Sequence, residues 1–367
     1  MPPANPLSRL LADMVLYTSH GNRWHRLAEA TAGLRSRDLA YAPLPELACD
    51  WGRDDAWPKP RILTVRHNLL HLVGAAEGYA EALAPRTRAA VEAEWDAFNW
   101  RGPFNTPESV LHPADVVLRR LHARARRVTD GDLPTRCGMW PANSPKLFVL
   151  LDGGILHTAW HLGQVALLIG MSHAARKRTL SRPSGPPSRL PAYPGRRNWA
   201  DCRVSTRTEL CLKLLEASYR ESPWHAFRRM CQGLTPAEMS WRPFPDSPLH
   251  YVCFADVIRH VASCKIIYAD QAFGGRSLDW GDCAGIVGRR LWRTPGPRGL
   301  LTALDRAHAY LTDHVAQATD ADLDRRNPMH HGVPHTGWQT VASMAQHDAW
   351  HAAQLSVLRD LFSALTA

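Results

Sequence analysis

The chain has 367 residues and a formal net charge of +10, with 45% hydrophobic and 21% charged residues. This balance excludes a disordered or fibrous protein, and the length is that of two average domains. No apolar run approaches the roughly 20 residues of a membrane-spanning helix, and the N-terminus shows no secretory signal. We therefore expect a cytoplasmic protein with no membrane partner.

The excess of basic residues is carried almost entirely by arginine, because the chain has only five lysines. Abundant alanine and proline accompany the arginine, which indicates a compositional bias rather than a nucleic-acid-binding surface. Nucleic acid is therefore not an expected partner. The eight cysteines form no C-x-x-C pair and are expected to be reduced.

Apolar residues recur at helical spacing along the chain, and no alternating strand pattern of useful length is present. Helices are predicted, in chain order, at 7–15, 60–84, 107–128, 146–170, 210–218, 249–273, 297–319 and 338–365. Pro107 and Pro297 stand near the starts of two of them, where proline is tolerated. Four helices in each half, with a long connection between the second and third, predict an all-α protein of four-helix bundles.

The two halves repeat three sequence blocks in the same order, which indicates a tandem duplication. The matched blocks are 22–43 with 222–243, 71–83 with 260–273, and 157–168 with 347–358. The segment between the halves is rich in Pro, Gly, Ser and Arg, which is typical of a linker. We predict a first bundle over 1–175, a Pro/Arg-rich linker over 176–197 and a second bundle over 198–367.

The predicted fourth helix of each half carries an H-x-A-W-H-x-x-Q motif. Histidines four residues apart share one face of a helix, and imidazole is a common ligand of transition metals. One such pair is weak evidence, since it also fits histidines that face solvent or bond within a core. The case for a metal site is stronger because the pair recurs in both halves. Each half also has one histidine at the same place on its second helix. The predicted triads are His71, His157 and His161, and His260, His347 and His351.

These residues resemble the DinB-like family of metal-binding four-helix bundles. The resemblance lies in the second-helix histidine, the H-x-x-x-H-x-x-Q motif and the Gly-Leu block that ends in Pro at the end of helix one. HDAWHAAQ at 347–354 fits the family's H-D-x-x-H-x-x-Q better than HTAWHLGQ at 157–164, which lacks the Asp. The resemblance implies a divalent metal ion held by three histidines in each bundle core. Characterised relatives include thiol-dependent isomerases and S-transferases, while others have no known reaction.

Several nearby residues are further candidates. His67 and Asp256 each stand four residues before the second-helix histidine of their half. Each is either a fourth ligand, a group that orients a ligand, or a polar residue at the end of the bundle. His25 and His225 recur on helix one and either line the pocket, with His225 moving a proton, or make a structural hydrogen bond.

Three further features adjoin the triads, and the first and the last of them occur only in the second half. Cys264 lies one turn after His260 and is either a soft neighbour of the metal or a buried structural cysteine. Gln164 and Gln354 follow the last histidine of each motif by three residues and orient it or cap a backbone group. A loop with His330, His331 and His335 precedes the last helix. It is either a lid over the site or a solvent-exposed loop.

The leading hypothesis is a metal-dependent enzyme that acts on a small molecule by hydrolysis or by thiol-dependent transfer or isomerisation. Its cofactors would be a divalent ion (Zn, Ni or Fe) and a low-molecular-weight thiol. We expect the catalytic capacity in the second half, with His225 and Asp348 as catalytic residues. A non-catalytic metal-binding or stress-response protein is the alternative, and a basic nucleic-acid-associated protein is the third possibility. Three imidazoles do not identify the metal, and the sequence leaves the oligomeric state open.

Overall fold

The structure is a computed structural model that describes residues 6–44, 64–84, 104–137, 144–176, 179–187, 203–245, 253–293, 296–329 and 332–366. The chain divides into two compact units. The first unit lies within 1–173 and also takes in Val204, while the second comprises 205–367 and the segment from Ala174 to 195.

The first unit is built on four helices. They are α1 (Leu7–Leu16, continued by a π-helical turn Tyr17–Gly21), α2 (Val65–Ala82), α3 (Pro107–Ala125) and α4, which runs from Lys146–Phe148 through a π-helical stretch Val149–His157 into Thr158–Ala175. A short helix Leu27–Ala30 and 3-10 turns Ser36–Asp38 and Asp130–Asp132 lie between them. An isolated bridge pairs Arg136 with Pro145.

The second unit repeats this order. Its main helices are α5 (Arg207–Glu216, continued by a π-helical turn Ala217–Glu221), α6 (Phe254–Phe273), α7 (Pro297–Ala316) and α8 (Gly337–Thr366). Short helices are Phe227–Met230, Pro236–Ser240, Cys283–Val287, Arg289–Arg293 and Asp320–Asp324. Strands β1 (Arg326–Asn327) and β2 (His335–Thr336) pair antiparallel and are the two strands found in the described parts of the chain. The all-α prediction is confirmed.

The helix starts follow from local sequence. Thr106 caps α3 by accepting a hydrogen bond from the Ser109 backbone N–H, and the Ser109 side chain accepts one from the Thr106 backbone. Thr206 and Glu209 make the same reciprocal box at α5. Such boxes satisfy backbone donors that a helix start leaves unpaired, which fixes where each helix begins.

Packing within each unit brings the second and fourth helices together. In the first unit α2 contacts α3 and the π-helical part of α4, and α1 contacts both α3 and that same part. In the second unit α6 contacts α7 and α8, and α5 also contacts α7 and α8. Each unit is thus a set of four packed helices, and the histidine-bearing second and fourth helices are neighbours.

The described part of the predicted linker is tied to the second unit. Ser181 donates its backbone N–H to the Pro243 carbonyl at 2.9 Å, and Trp241 Nε1 donates to the Ser181 carbonyl at 3.3 Å. Residues 179–187 are therefore held against the end of the Pro236–Ser240 segment rather than only solvated. In the described residues, no helix is both long enough and apolar enough to cross a membrane.

Candidate metal centres

The first triad joins α2 to α4. His71 lies on α2, His157 ends the π-helical stretch of α4 and His161 follows one turn later. One ring nitrogen from each histidine lies within 4.8 Å of the other two. The His71 ring centre is 5.2 Å from that of His157 and 4.6 Å from that of His161. His161 is buried and the other two are half-buried, so the cluster sits at the edge of the core.

The second triad joins α6 to α8. One ring nitrogen each from His260, His347 and His351 lies within 4.8 Å of the others. The Nε2 atoms of His260 and His347 are 2.9 Å apart. The His351 ring centre lies 4.4 Å from that of His347 and 5.0 Å from that of His260. His347 and His351 are buried, whereas His260 is half-buried.

The donor geometry of the second triad fits a single metal ion. Two nitrogens that each bind one ion at about 2.0–2.1 Å lie roughly 2.9–3.4 Å apart, and the 2.9 Å contact between His260 and His347 is in this range. Burial lowers the pKa of His260 to about 4, so its ring is neutral at neutral pH and keeps a lone pair for a metal. Both triads can hold a divalent transition-metal ion.

Each triad has one histidine oriented by a neighbouring amide. His161 Nδ1 donates to Asn68 Oδ1 at 2.9 Å in the first unit. His351 Nδ1 donates to Gln354 Oε1 at 2.8 Å in the second. A hydrogen bond at Nδ1 directs the other ring nitrogen towards the centre of the triad. Sequence reasoning missed Asn68, whose only signal was a polar residue one turn before His71 on an apolar helix.

The two candidate fourth ligands lie elsewhere. His67 Nδ1 is 2.8 Å from Thr64 Oγ1, and the same hydroxyl accepts the His67 backbone N–H, so both groups serve the start of α2. Asp256 pairs with Arg242 and, at 3.9 Å, with Arg259. Among the described residues, neither ligand cluster includes His67 or Asp256.

The helix-one histidines occupy the same turn in both units. Asn22 Nδ2 donates to His25 Nδ1 at 3.3 Å. In the second unit the Ser222 hydroxyl lies 3.3 Å from His225 Nδ1 and accepts the His225 backbone N–H at 3.0 Å. The structure therefore gives both histidines a hydrogen bond in the turn that follows the π-helical turn of helix one.

Cys264 is next to the second triad, and its burial disfavours the thiolate form. Its Sγ lies 3.8 Å from both ring nitrogens of His260, and only 2% of the residue is exposed. Burial raises the pKa of the Cys264 thiol far above its ordinary value. His335 is buried in β2 opposite Asn327, while the predicted loop positions His330 and His331 lie outside the described residues.

Asp348 belongs to a buried ion pair. Its Oδ2 accepts from Lys265 Nζ at 2.6 Å and from the Ser218 hydroxyl at 3.1 Å. Both Asp348 and Lys265 have exposed side-chain fractions of 0%. Sequence reasoning named Asp348 as a catalytic residue but missed Lys265, which stands in an apolar stretch of α6 and is one of five lysines.

Comparison with known proteins bears on the second unit. The family model described as DinB superfamily matches residues 221–355, which include all three histidines of the second triad. Residues 221–355 are a DinB superfamily domain. No curated protein and no solved structure matches the chain. The DinB match begins at residue 221 and does not include the first unit. The likeness of the first unit to the second rests on the internal repeat and on the first unit's own histidine triad.

Proposed function

We propose that the chain is a metal-dependent enzyme made of two DinB-like bundles, each holding one divalent ion by its histidine triad. The substrate is a small molecule, and the reaction is hydrolysis or thiol-dependent transfer or isomerisation. The observation that carries this proposal is the convergence of three imidazoles without a fourth protein ligand in either described cluster. Three protein ligands that leave positions open for water or substrate are the pattern of catalytic metal sites, whereas structural sites are closed.

The exposure of the triads supports access by a small molecule. His71, His157 and His260 are half-buried, while the remaining three ligands are buried. We therefore propose that a small ligand approaches each triad from the side of its half-buried histidines. An ion held there would act as a Lewis acid towards a bound oxygen or sulfur group.

The surrounding residues hold the ligands and limit the chemistry. Asn68 and Gln354 fix the rings of His161 and His351 through their Nδ1 atoms, so that Nε2 is presented to the ion. Burial of Cys264 raises the pKa of its thiol and so disfavours the nucleophilic thiolate form. Thiol-dependent chemistry in this protein would consequently use a small external thiol as co-substrate.

The metal-binding part of the proposal is tested by stoichiometry. The purified full chain is reconstituted separately with Zn²⁺, Ni²⁺ and Fe²⁺, and bound metal is counted by elemental analysis. We expect about two ions per chain for the preferred metal, one after either His161→Ala or His351→Ala, and none after both. His173→Ala is the control, because His173 lies on α4 and bonds Asp38. A chain without metal after reconstitution, or unchanged stoichiometry in the variants, contradicts the proposal.

The catalytic part requires a separate measurement. The metal-loaded chain is screened for turnover of ester, amide and electrophilic substrates, with and without small thiols. Activity that disappears with His157→Ala/His161→Ala or with His347→Ala/His351→Ala assigns the reaction to one unit. Stoichiometric metal without turnover or thiol binding would instead favour the non-catalytic metal-binding protein.

A further inference from the structure

An ion pair inside the second unit has no evident structural purpose. Lys265 and Asp348 are both fully buried, their charged atoms lie 2.6 Å apart, and Lys265 Nζ is 5.1 Å from the centre of the Tyr219 ring. Removing two charges from water costs several kcal/mol per ion, and apolar replacements of such pairs are often neutral or stabilising. Stability alone therefore does not explain a buried pair at this place.

The pair adjoins the second triad along the chain on both helices. Asp348 follows the ligand His347 on α8. Lys265 follows Cys264, whose Sγ contacts both ring nitrogens of the ligand His260. With a rise of 1.5 Å per helical residue, Asp348 is displaced from its ligand by one residue and Lys265 from its ligand by five. We therefore expect the carboxylate to be the nearer of the two charges to the metal position.

The first unit has no such pair. The positions that match Lys265 and Asp348 in the repeat are Ala76 and Thr158, and both are buried. Thr18 stands where Ser218 bonds the carboxylate in the second unit. The two triads have the same ligands but differ in the charges next to them.

We propose that the buried Lys265–Asp348 pair sets the metal affinity of the second triad, with Asp348 strengthening and Lys265 weakening the binding of a divalent cation. This inference rests on the proposed metal-binding function. The reason is electrostatic, because a charge in a water-poor interior acts on a nearby dication with little screening. Lys265 also keeps Asp348 in place, so the carboxylate attracts the ion without becoming a ligand itself.

The test uses the full chain with His157→Ala and His161→Ala as background, so that metal binds only to the second triad. Zn²⁺ affinity is measured by competition with a chelator, and the Co²⁺ absorption spectrum reports whether the coordination sphere is retained. The variants are Lys265→Met, Asp348→Asn and the double variant. Lys213→Met is the matched control, because it removes a 2.6 Å ion pair with Glu221 at the half-exposed surface of the same unit.

The signs of the expected changes differ between the variants. Lys265→Met should tighten Zn²⁺ binding about tenfold, and Asp348→Asn should weaken it by a similar factor. The double variant should lie between the parent and Asp348→Asn, because the nearer charge is lost together with the farther one. Lys213→Met should leave the affinity unchanged, and the Co²⁺ spectrum should stay that of the parent throughout.

A structural role predicts a different result, since loss of either partner would disturb the triad and both single variants would bind more weakly. That outcome, or affinities within twofold of the parent in all folded variants, overturns the inference. If neither single variant folds, the double variant decides, and an unchanged affinity overturns it. A parent chain that binds no metal at the second triad refutes the proposed function instead, so the two failures are distinguishable.

Discussion

At the scale of single residues, the two triads differ in the groups that hold their last histidine. Asn68 reaches His161 from α2, so the first site is fixed across two helices. Gln354 reaches His351 from three residues further along α8, so the second is fixed within one helix. Partners of this kind fix the ring orientation and raise the basicity of the ligand.

Replacing Asn68 therefore tests the first site specifically. Asn68→Leu keeps the side-chain size but removes the acceptor for His161 Nδ1, and we expect a loss of about 10–100-fold in metal affinity at the first triad. The measurement is metal titration in a chain whose second triad carries His347→Ala and His351→Ala. Val257→Leu is the control, because Val257 is the matching position of α6 in the repeat. Unchanged affinity in Asn68→Leu would contradict this assignment.

A second residue predicts a pH dependence of stability. Asp360 is half-buried on α8, and burial raises the pKa of its carboxyl to about 7. The folded state holds this proton more tightly than the unfolded chain, whose Asp titrates near 4. The contribution of Asp360 to stability is thus most favourable below pH 4 and is lost as the pH rises through 7.

Asp360→Asn removes this pH dependence. We expect the variant to exceed the parent in free energy of unfolding by up to about 4 kcal/mol at pH 8 and by about 1–2 kcal/mol at pH 5. Urea unfolding at both pH values measures the difference. Asp313→Asn, at an exposed position of α7, serves as the control. An equal effect of Asp360→Asn at both pH values would refute this explanation.

At the scale of elements, α4 and α8 place their histidines by different backbone geometry. The nine residues Val149–His157 of α4 are π-helical, whereas α8 is regular over Gly337–Thr366. Two glycines lie in the π-helical stretch, and the Tyr79 ring of α2 packs directly against Gly153. That ring also meets the His157 ring edge-on at 5.6 Å between centres. Local π-helical geometry is frequent at functional sites.

The close approach at Gly153 makes a prediction for this element. A Cβ there would lie 2.8–2.9 Å from three atoms of the Tyr79 ring. Gly153→Ala must therefore displace Tyr79 and should lower the free energy of unfolding by about 1–3 kcal/mol. Gly285→Ala, where a Cβ would meet nothing within 4 Å, should be neutral or slightly stabilising. Urea unfolding of both variants measures this, and equal stabilities would argue against the packing explanation.

Helix periodicity predicted the order of the main helices, because the apolar residues that repeat at 3.6-residue spacing are those the bundles bury. The predicted ends of the third helices, at 128 and 319, lie three residues beyond the observed ends at Ala125 and Ala316. The backbone N–H of Val128 bonds the Ala125 carbonyl, so the chain closes a turn there although its composition still permits a helix. The π-helical stretch could not be predicted, since the contact of Tyr79 with Gly153 that accompanies it joins two helices.

At the scale of the whole molecule, the duplication allowed the histidine triads to be predicted but not the residues around them. The triads were predicted because the same histidines recur at matching positions. Asn68 and Lys265 were missed because they align with Val257 and Ala76, and a comparison of the two halves passes over positions that differ. Their roles depend on contacts between helices that the sequence does not display.

Each triad takes all its ligands from one unit, so the stabilisation that metal provides should be confined to that unit. Ligand binding at 100 times its dissociation constant stabilises the folded state by about 2.7 kcal/mol, which corresponds to about 100-fold slower exchange of the most protected amides. We expect metal to slow exchange in α2, α4, α6 and α8 of the parent chain. In His161→Ala the slowing should persist in α6 and α8 but disappear from α2 and α4, and His351→Ala should give the reverse pattern. Hydrogen exchange followed by mass spectrometry measures both units in one sample, so each unit is the internal control for the other. Loss of protection in all four helices of either variant would show that the two units respond to metal as one body.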